Sequence, residues 1–140
     1  MRQISDYYLY RHMIPSRISD LFVQSLPLQK LQESIAANER EIELSGLVGS
    51  ALSLVLAKVA SAQNRPMMCV MNDKESAAYL LNDLENILGE EDVLFYPGSY
   101  RRPYQIEETD NANVLLRSEV LTRLSSRKKP AFVVTYPEAL

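Results

Sequence analysis

Two hydrophobic periods alternate along the chain, and each change of period marks the boundary of a predicted element. Apolar residues three and four positions apart predict amphipathic helices, whereas short apolar or alternating runs predict strands. Helical spacing predicts helices over 27–38, 50–62, 73–88 and 111–124. The remaining runs predict strands over 41–44, 67–71, 93–96 and 131–134. Three helices therefore connect four strands, which predicts an α/β fold with a mostly parallel sheet and helices on both faces.

The apolar content of three segments predicts how deeply each one is buried. The run 67–71 is almost wholly apolar, as expected for a parallel strand that is covered on both faces. Only Ser53 and Lys58 are polar between positions 51 and 60, so this helix should be buried on most sides. The alternation in 41–44 predicts instead a strand with one buried face.

Residues at the ends of the helices predict how they are capped. Asn72, with a glutamate three residues later, has the spacing of a capping box, and Gly89 suits the end of the same helix. Thr135 and Glu138 have the same capping-box spacing, so a further helix should begin there. Leu140 would then lie in its first turn, and we expect the sequence to be the front portion of a longer chain.

Composition and charge fit an ordinary globular domain and argue against several classes of site. The 140 residues suffice for one domain, and the net charge of −3 argues against a general affinity for nucleic-acid phosphates. The single cysteine, Cys69, lies in an apolar run and is predicted to be a small core residue. One cysteine and one histidine, His12, give no zinc-site spacing. No apolar stretch reaches the roughly 18 residues of a membrane span, so we expect a cytoplasmic protein.

The stretch between the first predicted strand and the next helix has the frame of a phosphate-binding loop. Such a loop has the pattern G-x-x-x-x-G-K-[ST], in which backbone N–H groups and the lysine bind the phosphates. Gly46 stands at the first position and Ser53 keeps the final hydroxyl. Ala51 replaces the second glycine and Leu52 replaces the lysine.

The missing lysine predicts a loop without phosphate chemistry. Leu52 cannot neutralise phosphate charge, and no lysine or arginine lies between positions 40 and 58. Ala51 adds a Cβ where backbone and phosphate must approach closely. We therefore expect no cofactor, no metal and no catalytic residue in this degenerate P-loop. It comprises Gly46, Gly49, Ser50, Ala51, Leu52 and Ser53. The alternative is that the two glycines only form a tight turn.

Aromatic and basic residues alternate in the long irregular stretch after the third predicted strand. Tyr100, Arg101, Arg102 and Tyr104 are residue types that are common in interfaces, and they are our interaction candidates. The same residues could stack on single-stranded DNA. The alternative is a loop folded against the sheet, with one of its tyrosines as the anchor.

Four stretches together resemble the N-terminal region of the bacterial transcription-repair coupling factor, whose first subdomain is similar to that of the excision-repair protein UvrB. They are 44–51, 93–97 with the tyrosine-rich segment after it, 110–113 with the following helix, and 133–140. The resemblance covers roughly residues 18–140, which would form one subdomain, and leaves 1–17 as an N-terminal arm. UvrB has an intact phosphate-binding loop, whereas Ala51-Leu52 matches the degenerate loop of the coupling factor.

The resemblance implies a P-loop NTPase-like or RecA-like fold and a scaffold role without catalysis. The full-length coupling factor displaces stalled RNA polymerase with an ATP- and magnesium-dependent motor that acts on double-stranded DNA. It also recruits UvrA for nucleotide excision repair. The UvrB-like region would present a UvrB-like surface to UvrA, but the main contacts in the family lie on the next subdomain. No residue of this chain is therefore assigned to a contact with UvrA.

Two other functions are compatible with the same pattern. The chain could be the ATP-binding lobe of a helicase-like NTPase such as UvrB, with the remaining motifs further along. It could also be an unrelated α/β domain that binds a small molecule at the carboxyl ends of its strands. The absence of G-x-G-x-x-G after a strand disfavours a dinucleotide.

Overall fold

A computed structural model of the chain describes residues 25–63, 65–98, 111–126 and 129–140. The chain divides into two compact units, one ending at Val59 and the other running from Ala60 to Leu140. The N-terminal arm predicted over residues 1–17 lies outside the described residues.

Among the residues described, one helix lies within the first unit and a second begins in it. Helix α1 spans Leu26–Ala36, with a proline in its first turn and with Leu28 and Leu31 buried. Helix α2 spans Ala51–Ala62 and crosses the boundary between the units. No residue of α2 from 51 to 60 is exposed, which confirms that this nearly all-apolar helix is buried on most sides.

The strand predicted over 41–44 is wrong. Residues 41–48 have no regular structure, and three of the four predicted strand residues are exposed. Leu44, which should have been on the buried face, is 46% exposed. Two apolar side chains in four residues bury too little surface to fix a strand, and Glu41 and Glu43 favour solvent.

The sheet lies in the second unit and consists of three parallel strands in the described residues. Strand β1 spans Met67–Val70, β2 spans Val93–Phe95 and β3 spans Phe132–Thr135. Their order is β1-β3-β2, with Met67 and Val93 both opposite Phe132. The predicted α/β fold with parallel strands is confirmed, with three strands in place of four.

Helices on both faces cover the two strands β2 and β3. Helix α3 spans Lys74–Leu88 and helix α4 spans Asn111–Ser126, and both contact β2. The connection through α3 runs from β1 past β3 to β2, and the connection through α4 runs back from β2 to β3. Because parallel crossovers are right-handed, opposite directions place α3 and α4 on opposite faces. The α4 side of the core consists of Leu94, Val120, Ala131 and Val133, with Tyr96 packed against them.

The prediction that β1 is covered on both faces is wrong. Met68 is 54% exposed and Val70 is 47% exposed, whereas Met67 and Cys69 on the other face are half-buried. Among the strands described, β1 lies at an edge of the sheet and pairs with β3 alone. A strand at that position can be apolar throughout without being covered on both faces.

Two predicted helix caps differ from the structure. Asp73, and not Asn72, caps α3, because its carboxylate accepts a hydrogen bond from the backbone N–H of Ser76 at 2.7 Å. Thr135 does not cap a helix: it ends β3, is fully buried, and donates its hydroxyl to Tyr96 O at 2.8 Å. The chain then forms a 3-10 turn at Pro137–Ala139, without a side-chain cap.

Candidate functional site

The degenerate P-loop forms an open turn before α2. Gly46 and Gly49 have φ of 78° and 57°, a left-handed conformation that favours glycine. A Cβ built on either glycine would meet no atom within 4 Å, and both residues are exposed. The two glycines are therefore explained by backbone conformation, and not by the close approach of another group.

The last two residues of the degenerate P-loop offer neither a charge nor an exposed hydroxyl. Leu52 is half-buried and uncharged, and it occupies the place of the lysine. Ser53, the residue that would contact magnesium in a working loop, is only 3% exposed. Ser50 is exposed and Ala51 begins the helix, with its N–H donating to Val48 O at 3.2 Å. The hydroxyl in the motif thus lies in the interior, and not on the open side of the turn.

A second group of polar residues is organised at the carboxyl ends of β2 and β3. Arg117, on α4, donates from Nη1 to Pro97 O at 2.8 Å and to Ala139 O at 3.0 Å. Its guanidinium carbon lies 4.0 Å from the centre of the Tyr96 ring, in a cation–π arrangement. One side chain therefore joins the segment after β2, the turn after β3 and α4. We call Arg117, Tyr96, Gly98 and Tyr136 the carboxyl-end cluster.

Tyr136 completes this cluster from the end of β3. Its hydroxyl accepts a hydrogen bond from the Gly98 N–H at 2.9 Å, and its ring lies 6.2 Å from that of Phe95. Asn113, in the first turn of α4, donates to Gly98 O at 3.3 Å. The backbone at Gly98 is therefore bonded at both its N–H and its C=O, immediately before residues 99–110.

The sequence-based interpretation missed the role of these residues. Arg117 was not among the predicted site residues. A usable signal was present, because Tyr-Pro follows both β2 and β3, as Tyr96-Pro97 and Tyr136-Pro137. When two parallel strands are both followed by this dipeptide, their tyrosine rings lie at the same end of the sheet, next to the carboxyl ends of the strands.

The interaction candidates Tyr100, Arg101, Arg102 and Tyr104 lie outside the described residues, so their role stays a prediction. The nearest described residues are Gly98 before them and Asn111 after them. Gly98 belongs to the carboxyl-end cluster, and Asn111 begins α4, the helix that carries Arg117.

Cys69, an ion pair and a cavity lie outside the two groups described above. Burial raises the pKa of the Cys69 thiol, which favours the unreactive protonated form, and its sulfur lies 3.8 Å from the Met71 sulfur. Lys129 pairs with Asp92 on the surface. A cavity of about 200 Å³ lies at the amino-terminal ends of β1 and β3, with Arg65 and Lys129 among its lining residues. The cavity and the carboxyl-end cluster therefore lie at opposite ends of the strands.

Two kinds of feature are absent from the described part of the chain. No three histidine, cysteine, aspartate or glutamate residues there lie close enough together to hold a metal ion. None of the helices described is both long and apolar enough to cross a membrane.

Comparison with known proteins gives one informative similarity. The chain is 31% identical over 116 residues to a transcription-repair-coupling factor of Myxococcus xanthus, an alignment that covers 78% of this chain. The chain is therefore related to a region of a transcription-repair coupling factor. It spans about a tenth of that relative's length. No family model matches the chain, and no solved structure matches it.

Proposed function

We propose that the chain is the UvrB-like scaffold module of a transcription-repair coupling factor, with a RecA-like fold whose phosphate-binding loop no longer acts on nucleotides. The observation that carries the proposal is the similarity to the Myxococcus coupling factor over 78% of the chain. The parallel α/β sheet and the altered loop agree with such a module.

The loop supports a role without catalysis. Phosphoryl transfer needs a cation on the phosphates, a magnesium ligand and a residue that orients the nucleophile, all in one pocket. Here the lysine position is Leu52, and the hydroxyl of Ser53 is buried. The module would then act by presenting a surface while separate motor domains of the parent protein hydrolyse ATP.

In this proposal the partners divide between the module and the rest of the parent. RNA polymerase and double-stranded DNA are bound by other domains, and UvrA is recruited mainly through the subdomain that follows. The contribution of this chain is to position that subdomain and to offer the segment with Tyr100, Arg101, Arg102 and Tyr104 as a contact surface.

Calorimetric titration of the chain with magnesium ATP tests the loss of nucleotide chemistry. We expect no saturable heat, because the loop offers no cation to the triphosphate. A dissociation constant of about 100 µM or tighter would contradict the proposal and favour the ATP-binding lobe of a helicase-like enzyme.

A capture assay with UvrA tests the placement in the repair pathway. UvrA is incubated with the immobilised chain and, separately, with a longer piece of the same protein that includes the next subdomain. We expect capture by the longer piece and weak or no capture by the chain. Failure of both pieces to capture UvrA would contradict a recruiting module.

A further inference from the structure

The two ends of the parallel sheet differ in the space that they offer to a small molecule. Ligands of open α/β sheets usually bind outside the carboxyl ends of the strands. In this chain those ends carry the carboxyl-end cluster, whose groups bond to one another. The cavity lies at the other end, where the strands begin.

Segments at the amino-terminal ends of all three strands line this cavity. Met67 begins β1, Asp92 directly precedes β2, and Phe132 begins β3. Met67 pairs with Phe132, and the Met67 N–H donates to Ala131 O at 2.9 Å. The sheet itself therefore fixes the walls of the cavity, as is usual for a largely preformed ligand site.

The more buried part of the cavity is apolar. Ala131 and Phe132 are buried, and Met67 and Leu88 are half-buried. An apolar cavity of about 150 Å³ can hold one benzene molecule, so the volume of about 200 Å³ found here suits one ring with a small substituent. Sites for drug-sized ligands have about 300–1,000 Å³, which excludes larger molecules.

The charged residues of the cavity are more exposed and have an excess of positive charge. Arg65 and Lys129 are exposed cations, and Asp92, which pairs with Lys129, is the one carboxylate among the described lining residues. Arg65 donates from Nε and Nη2 to Gln63 Oε1, in both cases at 3.3 Å. Such long bonds to a neutral amide are weaker than bonds to a carboxylate, so an anion can replace the amide oxygen.

We propose that the cavity is a binding site for a small monocarboxylate with a ring-sized apolar group. The carboxylate is bound by Arg65 and Lys129, and the apolar group packs against Ala131 and Phe132. Two cations and one carboxylate balance a single negative charge on the ligand, and the apolar interior excludes a bare inorganic anion. The inference goes beyond the proposed scaffold function and does not depend on it.

NMR titration of the whole chain with benzoate tests the site, because each amide reports where the ligand binds. We expect a dissociation constant of about 1 mM or tighter, as is reasonable for about nine heavy atoms. The largest shifts should be those of the Met67, Ala131 and Phe132 amides, with little change at Gly98. Benzyl alcohol has the ring without the charge and acetate has the charge without the ring, so each should bind at least about fivefold more weakly. No saturation below about 20 mM benzoate, largest shifts elsewhere, or equal affinity for benzyl alcohol overturns the proposal.

Three variants test the charge and the space separately. Arg65→Gln should weaken benzoate binding at least about fivefold and leave benzyl alcohol unchanged, because only the charge is lost. Ala60→Leu, in the wall formed by α2, should weaken both ligands by filling the space. Arg40→Gln is the matched control: it removes the same charge from an exposed residue of the other unit and should bind as wild type.

The exposed position of Arg65 makes its variant decisive even if Ala60→Leu does not fold. Thermal melts establish that each variant is folded before titration. Equal benzoate affinity in Arg65→Gln and Arg40→Gln overturns the proposal, and so does unchanged affinity in a folded Ala60→Leu variant.

Discussion

Gly98 is the residue where the carboxyl-end cluster is most tightly packed. A Cβ at this position would lie 3.1 Å from the Tyr136 hydroxyl and 3.6 Å from Glu138 O. The same hydroxyl accepts the Gly98 N–H, so contact and hydrogen bond share one atom. A glycine is needed here because there is no room for a side chain. Backbone conformation is not the reason, since the other three glycines have positive φ and Gly98 does not.

Gly98→Ala should destabilise the chain by about 1–2 kcal/mol, because the new methyl group must displace the Tyr136 ring. Tyr136→Phe alone should cost about 0.5–1.5 kcal/mol, because it leaves the Gly98 N–H without its acceptor. It also removes the atom that the methyl group would meet. The double variant should therefore cost less than the sum, by about 0.5–1 kcal/mol, in urea unfolding followed by circular dichroism. Strict additivity would contradict the packing described for Gly98.

Asp73 gives the stability of α3 a defined dependence on pH. Hydrogen bonds from the Ser76 N–H and hydroxyl lower the pKa of the Asp73 carboxyl below its ordinary value of 3.8. A carboxyl with a lowered pKa in the folded state contributes stability above its unfolded pKa and loses it as the pH falls through the folded pKa. The contribution should therefore be complete at neutral pH and lost in the acid range below about pH 4.

The prediction is that Asp73→Ala lowers the melting temperature by a few degrees at pH 7 and by progressively less below about pH 4. Thermal melts at several pH values measure this difference. Glu85 is a natural contrast on the same helix, because burial, followed by the charge of Glu90, raises the pKa of its carboxyl. Glu85→Gln should therefore stabilise the chain slightly at pH 7. A constant loss for Asp73→Ala from pH 7 to pH 3 would exclude the charged cap as the cause.

At the scale of the elements, the second unit depends on how α4 is fixed to the strand ends. Val120 is the only residue of α4 that is fully buried, so the helix has a small apolar anchor. Arg117 adds hydrogen bonds to Pro97 O and Ala139 O and a contact with the Tyr96 ring. A helix with little buried apolar surface thus relies on one cation that bonds the backbone on two sides.

Arg117→Ala should destabilise the chain by about 2–3 kcal/mol, because two carbonyls lose a charged donor and a tyrosine ring loses its cation. Arg117→Lys should recover part of this loss, since an ammonium group can donate to the carbonyls but cannot stack as a planar group. Arg123→Ala is the matched control. Arg123 makes one longer hydrogen bond at the exposed end of the same helix, and its loss should cost about 0.5 kcal/mol or less. Urea unfolding measures all three variants, and equal losses at positions 117 and 123 would contradict the role of Arg117.

The elements that could be predicted are those whose pattern is long. Helix α3 has apolar residues at helical spacing from Ala77 to Leu88, and its buried side consists of Ala77, Leu80 and Leu84, as expected. The strand over 41–44 could not be decided in this way, because four alternating residues fit an extended loop equally well. The exposure of Met68 and Val70 depends on strand order, which is a property of the whole sheet and not of β1.

The two candidate sites also differ in how far the sequence alone could reveal them. The degenerate P-loop could be recognised because its residues are contiguous in the sequence. The carboxyl-end cluster and its hydrogen-bond partners come from residues 96–98, 113, 117 and 135–139, which meet only after β2 and β3 have paired. Sequence patterns report local periodicity, so contacts between distant segments require the fold.

At the scale of the whole molecule, the loop and the sheet belong to different units. The glycine turn and the first part of α2 lie in the unit that ends at Val59, whereas every strand described lies in the unit from Ala60 to Leu140. A working phosphate-binding loop follows directly on a strand of the sheet. In the residues described, no strand precedes Gly46. The altered loop therefore lacks both the preceding strand and the lysine of a working loop.

This difference predicts that restoring the lysine will not restore nucleotide binding. The double variant A51G/L52K recreates the G-K-S end of the motif, but the Ser53 hydroxyl stays buried and the loop still lacks a preceding strand. We therefore expect no calorimetric dissociation constant for magnesium ATP tighter than about 1 mM. Val48→Lys is the matched control, because Val48 is 82% exposed in the same loop and gains the same charge outside the lysine position. Any weak anion binding that the two variants share should disappear as salt is raised. Salt-resistant binding near 100 µM for A51G/L52K alone would mean that the loop keeps its phosphate-binding geometry and has lost only its cation.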